Sequence, residues 1–224
     1  MKAVLFDLFG TLVDNPTTIQ VLQLHSEVAT VLGVPAEAYA SGWKATFHER
    51  VRGDHGSIAQ SIAAAARHSG HSFEAEALHS AVEVRFKHTR NWLIPRSDAY
   101  STILQSKERG LKIGLLSNCT DEVPLIWPEL SFAPLFDEPL FSSQERVRKP
   151  DQEFYHRALS RLNVSAQDCL YVADGDNGEL AAAKKIGMKV VMIRPSDLLN
   201  DYRQDPEEDW DGPRIERLSE LLTF

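Results

Sequence analysis

The stretch Ala3-Val4-Leu5-Phe6-Asp7-Leu8-Phe9-Gly10-Thr11-Leu12-Val13-Asp14 decides the fold. Four apolar residues run together and stop at a carboxylate, which reads as a short strand buried on both faces rather than an alternating, half-exposed one. Three further runs share this form: 111–116 (LKIGLL), 170–173 (LYVA) and 189–193 (KVVMI). Helical patterns lie at 101–109, 152–162 and 179–186. Strands alternating with helices imply a parallel sheet covered by helices on both faces. Such sheets bind ligands beyond the carboxyl ends of their strands, so the residues just after each run carry the functional signal.

One segment departs from this alternation. From about residue 15 to residue 92 the pattern is helical throughout, with candidate helices at 18–32, 36–51, 57–68 and 73–90. The expectation is an α/β protein in which a four-helix insertion, 15–92, follows the first strand and sits over the sheet edge. Residues 1–14 and 93–224 then form the core. The tail holds an acidic stretch, 205–211, and then Ile215, Leu218, Leu221 and Leu222 at helical spacing, read as a short closing helix.

Composition narrows the function. The chain has 224 residues with 24 basic and 32 acidic side chains, a formal charge of −8, and that balance with no basic block argues against a reader of nucleic-acid backbone. Its two cysteines, Cys119 and Cys169, are too few for a disulfide scaffold and fit a reducing compartment. Asp7 interrupts the first apolar run too early for a signal peptide, and no apolar stretch approaches the roughly 20 residues of a membrane span. A soluble, cytoplasmic protein that binds a small molecule, with no nucleic-acid or membrane partner and a monomeric or dimeric state, is expected. Neither Gly-x-Gly-x-x-Gly nor a P-loop occurs, which disfavours nucleotide-dependent redox chemistry.

Four groups stand at strand ends or loops. A carboxylate at the end of a buried strand, Asp7, is costly unless it has a partner or a task. Ser117-Asn118 follow the second run and suit a bound anion. Lys149 precedes Pro150, and Asp174-Gly175-Asp176-Asn177-Gly178-Glu179 follows the third run, trailed by Gly187-Met188. Together and in this order, these motifs resemble those of the haloacid dehalogenase-like hydrolase superfamily, and the match covers the whole chain. The resemblance implies a Rossmann-like, doubly wound parallel core carrying a mobile helical cap.

The resemblance also implies the chemistry. Asp7 would be a nucleophile toward phosphorus, splitting one difficult displacement into two. A carboxylate approaching a phosphate is repelled, so Mg²⁺ would sit between them, held by Asp7, Asp174, the backbone carbonyl of Phe9 and, through water, Glu179. Ser117 and Lys149 would complete the catalytic set, and Thr11 and Asn118 would bind substrate. In the insertion, Trp43, His48, Arg50, Arg52 and His55 precede or line the Gly53–Gly56 loop. This is either a specificity loop with Arg52 as an anion contact or a polar helix end with one buried tryptophan. Cys119 has no histidine placed to activate it, so a catalytic thiol is not expected.

Position 9 breaks the pattern. Most phosphatases of this superfamily carry a second aspartate two residues after the nucleophile, which protonates the leaving group and later activates water. Phe9 can do neither, and such groups contribute about 10²–10⁴-fold. An aromatic residue there resembles the 2-haloacid dehalogenases, which attack carbon and need no metal. Those enzymes usually have small polar residues where this chain has Asp174, and an unneutralised Asp174 beside Asp7 would blunt the nucleophile. The expectation is therefore a Mg²⁺-dependent phosphatase of small phosphorylated metabolites. Asp14, His48 or His55 are candidates for the missing acid/base. A metal-independent dehalogenase and a weakly active binding module are the alternatives.

Overall fold

The computed structural model describes residues 1–195, 201–203 and 205–224. Its centre is a six-stranded, wholly parallel sheet. The strands are β1 (Ala3–Phe6), β2 (Lys112–Ser117), β3 (Glu138–Phe141), β4 (Cys169–Ala173), β5 (Lys189–Ile193) and β6 (Arg214–Ile215), in spatial order β3-β2-β1-β4-β5-β6. The first strand to be made is thus central, flanked by β2 and β4.

Alternation along the strands divides the apolar residues between two layers. Val4 and Phe6, with Ile113, Leu115, Leu170 and Val172, face one cluster. Ala3 and Leu5, with Leu116, Tyr171 and Ala173, face the other. Burial on both faces explains the continuous apolar runs that marked these strands in sequence.

Between β1 and β2 the chain makes its long helical excursion: α1 (Thr18–Leu32), α2 (Ala36–Ala45), α3 (Phe47–Val51), α4 (Ile58–His68) and α5 (Ala75–Trp92), then α6 (Ala99–Glu108) of the core. The expected second helix, 36–51, is two helices broken at Thr46, whose hydroxyl donates back to the Gly42 carbonyl at 2.9 Å. Helices α1, α2, α4 and α5 pack around a third apolar cluster that includes Leu24, Val28, Tyr39, Trp43, Ile62 and Ala81. α2 meets α4 closely: a Cβ on Gly42 would lie 2.9 Å from the Ala65 carbonyl carbon.

The remaining helices, α7 (Glu122–Ile126), α8 (Ser142–Glu145), α9 (Gln152–Leu162) and α10 (Glu179–Lys185), belong to the core. The expected closing helix is instead strand β6 followed by a 3₁₀ turn at Leu218–Thr223. The Arg194 N–H donates to the Ile215 carbonyl at 2.8 Å, so Ile215 extends the sheet edge instead of starting a helix. No helix among the described residues is long and apolar enough to cross a membrane.

Candidate active site

Parallel pairing brings the ends of β1, β2 and β4 together. Phe6 is in register with Leu115 and Val172, so Asp7, Ser117 and Asp174 emerge side by side at the carboxyl edge. The Asp7 amide still donates to the Val172 carbonyl at 2.9 Å, fixing the backbone where the side chain departs. Gly10 then turns the chain with φ +73°. A Cβ there would stand 2.5 Å from the Asp174 carboxyl carbon and 2.6 Å from the Asn15 amide nitrogen, so this close approach and this φ both require glycine.

Asp7, Asp174 and Glu179 are all buried and offer oxygens within 4.8 Å of one another. Lys149, also buried, bonds Asp7 Oδ1 and donates to Glu179 Oε2 at 2.6 Å. Tyr171 donates to the same Glu179 oxygen at 2.6 Å, while Glu179 Oε1 accepts the Gly175 and Asp176 amides, each at 3.2 Å. Asn15 donates to Asp174 Oδ2 at 2.8 Å. Asp7 and Glu179 therefore share one ammonium, and the third carboxylate, Asp174, has no cationic partner among the described residues.

Electrostatics follow from that imbalance. Burial pushes the Asp7 carboxyl up to about 7, against the opposing pull of Lys149, and Glu179 pushes it further. Burial, then Glu179 and Asp7, raise Asp174 well above the usual carboxylate range. Burial by itself would lower the Lys149 ammonium, but Asp7 and Glu179 outweigh it and hold the proton firmly. A divalent cation fits this donor set, because hard carboxylate oxygens with excess negative charge are what Mg²⁺ takes.

The other expected site residues are placed as follows. Ser117 Oγ is buried with no hydrogen-bond partner among the described residues, an orphaned hydroxyl at the end of the neighbouring strand. Thr11 is fully buried, and its hydroxyl reaches Asp7 Oδ2 at 3.4 Å, so it supports the carboxylate instead of facing the cleft. Asn118 lines the cleft, yet its amide is occupied with Lys149: Oδ1 accepts the Lys149 N–H at 2.8 Å and Nδ2 donates to its carbonyl at 3.0 Å. Both ends of the Asn118 amide thus grip the Lys149 backbone. Phe9 lines the cleft.

The cleft, about 380 Å³, runs between this acidic cluster and the inserted helices. Its far wall includes Leu22, His25, Trp43, Arg50 and Arg85, and none of Asp14, His48, His55 or Arg52 lines it. Asp14 is paired with Arg96 at 2.9 Å. Arg52, the expected anion contact, is half-exposed and paired with Asp54 at 2.7 Å. Cys119 is buried, and burial drives its thiol far above the ordinary range, so it is no nucleophile.

Sequence reasoning missed Asn15, Tyr171, Arg85 and Glu122 as parts of the site. Arg85 bonds Glu122 Oε1 through Nε at 2.9 Å and through Nη2 at 2.6 Å, both side chains buried. The buried stripe of α5 is Ala81, Arg85, His88 and Thr89. Its helical spacing is regular, but a search keyed to apolar residues passes over a polar stripe.

A family model for haloacid dehalogenase-like hydrolases matches residues 1–187. The chain belongs to that family. Among curated relatives, glyceraldehyde 3-phosphate phosphatase of Methanocaldococcus jannaschii is 28% identical over 134 residues, which cover 58% of this chain and 56% of the relative. The chain thus spans about half the length of the curated relatives it matches. Two solved structures show the same fold. A 2-haloacid dehalogenase from Pseudomonas syringae pv. Tomato DC3000 has TM-score 0.70 at 22% identity, covering 100% of this chain and 97% of its own. A phosphatase of the same family from Thermococcus onnurineus has TM-score 0.66 at 20% identity, with the same coverage.

Proposed function

We propose that this hydrolase is a Mg²⁺-dependent phosphatase of small phosphorylated metabolites, working through a phosphoryl group carried on Asp7. The observation that carries this is Asp174: a third buried carboxylate beside Asp7 and Glu179, with Lys149 the one ammonium among them in the described residues. A metal-free displacement at carbon has no use for that charge, whereas a phosphoryl-transfer site needs a cation there. Curated relatives named as phosphatases agree with it.

Asp7 and Asp174 would hold the ion directly, with the Phe9 carbonyl, and Glu179 would act from behind a water because both its oxygens are already engaged. When bound, the ion screens the repulsion between carboxylate and phosphate and polarises the phosphoryl oxygens. Lys149 and Thr11 orient the Asp7 carboxylate for attack on phosphorus. Ser117 offers its buried hydroxyl to a phosphoryl oxygen. Asn118 fixes the lysine that neutralises the transferring group. As the bond from Asp7 to phosphorus forms, the bond from phosphorus to the ester oxygen breaks and the alcohol departs with a proton taken from solvent water; a second water then attacks phosphorus, the bond to Asp7 breaks, and phosphate leaves with the carboxylate restored. The inserted helices act as a cap that closes the cleft over the substrate.

The test is hydrolysis of p-nitrophenyl phosphate with Mg²⁺. Turnover should disappear with EDTA, return with Mg²⁺, and be absent from Asp7→Asn. Phe9 favours a second reading, carbon-centred dehalogenation. Halide release from 2-chloropropionate that persists in EDTA, without phosphatase activity, would establish that instead.

A further inference from the structure

Among the described residues, one charge lining the helical side of the cleft has no counter-ion. Arg50 is only 2% exposed. Its guanidinium bonds neutral oxygens only: the Trp43 carbonyl, and Thr46 Oγ1 at 2.8 Å. Its Nε is buried without any hydrogen-bond partner, and among the described residues it forms no ion pair. Its neighbour Arg85 is equally buried but is neutralised by Glu122. Both guanidinium carbons lie over the Trp43 ring, 3.6 Å from its centroid for Arg50 and 4.1 Å for Arg85. Both cations thus pack on one indole and repel each other.

Burying an unpaired charge is expensive, and a chain folding only for stability pairs it or replaces it. Here Arg85 shows how pairing is done, and Arg50, beside it, lacks it. Burial and then Arg85 pull the Arg50 guanidinium down to about 9, the mark of a cation short of anions. The surrounding groups that bear on it are Arg85, Tyr39, Glu122 and Glu49, and the carboxylates among them do not reach it. Arg50 lines the cleft that Asp7 also lines.

We propose that Arg50, packed on Trp43, is an anion-binding subsite on the helical wall of the cleft, taking a second negative group of the substrate, a carboxylate or a phosphate, while its phosphate ester lies at Asp7. This rests on the phosphatase reading and deepens it: the preferred substrates are phosphomonoesters whose other end is also anionic. Guanidinium presents parallel N–H donors that match either oxyanion, and bonding a charged group inside a dry cleft adds affinity that a neutral tail cannot.

The experiment compares three substrate series of two to five carbons: ω-phosphonooxy carboxylates, α,ω-bisphosphates, and alkyl phosphates of equal length with neutral tails. The full chain should hydrolyse at least one anionic-tailed series with kcat/KM about tenfold or more above its neutral counterpart. Whichever series leads identifies the anion. In Arg50→Gln that ratio should fall to about one, with the change carried by KM, and Arg50→Lys should keep part of it. If Arg50→Gln does not fold, judged by circular dichroism, the lysine variant decides. An unchanged ratio in Arg50→Lys then overturns the proposal. A ratio near one in the natural protein, a preference that survives Arg50→Gln, or one that vanishes only in a variant of the exposed cleft residue Lys44 would also overturn it. If no phosphate ester is turned over, the phosphatase reading fails separately. The subsite is then judged by calorimetric binding of glutarate to Asp7→Asn with and without Arg50→Gln, and loss of binding in the double variant is required.

Discussion

At position 9 the chain carries a phenyl ring two residues beyond Asp7, where a carboxylate would hand a proton to a departing alkoxide. The ring is partly buried against the apolar cluster of Phe6, Leu8 and Leu12 and also borders the cleft. Restoring the acid by Phe9→Asp should raise Mg²⁺-dependent p-nitrophenyl phosphate turnover about tenfold or more, at the cost of some packing. Unchanged turnover in a folded, metal-binding variant would count against acid catalysis as the missing step. One residue on, Gly10→Ala forces a side chain into left-handed backbone and against the Asp174 carboxylate. Urea denaturation should show a loss of about 1–3 kcal/mol, with weakened Mg²⁺ binding. Asp7, Lys149, Asp174 and Glu179 were legible in sequence because each ends a buried strand or sits beside a motif. Asn15 and Tyr171 were not: their roles depend on which strand ends become neighbours, and local spacing does not encode that. Arg50 stood out only as one of several polar residues before a glycine loop, and nothing in the chain order separates it from Arg52.

Among the elements, α5 and α7 are joined by Arg85 and Glu122, one from the inserted helices and one from the core. Both Arg85 nitrogens bond the same oxygen, Glu122 Oε1, so the pair is held through one oxygen. Removing one partner alone strands the other charge: Glu122→Ala should cost about 3–5 kcal/mol in chemical denaturation, whereas Arg85→Met combined with Glu122→Leu should cost much less. Equal losses in the single and double variants would show that the pair is not a unit. At this scale the sequence spoke clearly where burial was two-sided and poorly elsewhere. β3 carries Pro139, which argues against a central strand, and it is tolerated because β3 lies at the sheet edge. The break at Thr46 was hidden because helical periodicity continues through it. β6 is only two residues long, too short for any periodicity to mark.

At the scale of the molecule, the described residues form three apolar clusters: one on each face of the sheet and one inside the inserted helices. His25 lies in the third, edge-on to Tyr39 at 5.9 Å. Burial, then Arg85 and Arg50, lower its pKa from 6.5 to about 4. It is neutral when folded but takes a proton in the unfolded chain below about pH 6.5, so the stability it contributes is complete above that pH and drains away as pH falls toward 4. Between about pH 7 and pH 5 this amounts to about 2 kcal/mol, and urea titrations of His25→Gln should lose that part of the slope. A slope identical to that of the natural chain would contradict the assignment.

The separateness of the third cluster has a consequence for how such a molecule can change. The reacting groups hang from strands whose neighbours on both sides are fixed by ladder bonds, while the opposite wall is owned by helices that fill their own interior. A segment spanning 18–92, which leaves Asn15 with the Asp174 it bonds, could therefore be exchanged as a cassette provided that the replacement supplies a cation for Glu122, and the graft would bring new molecular tastes to the same reaction centre.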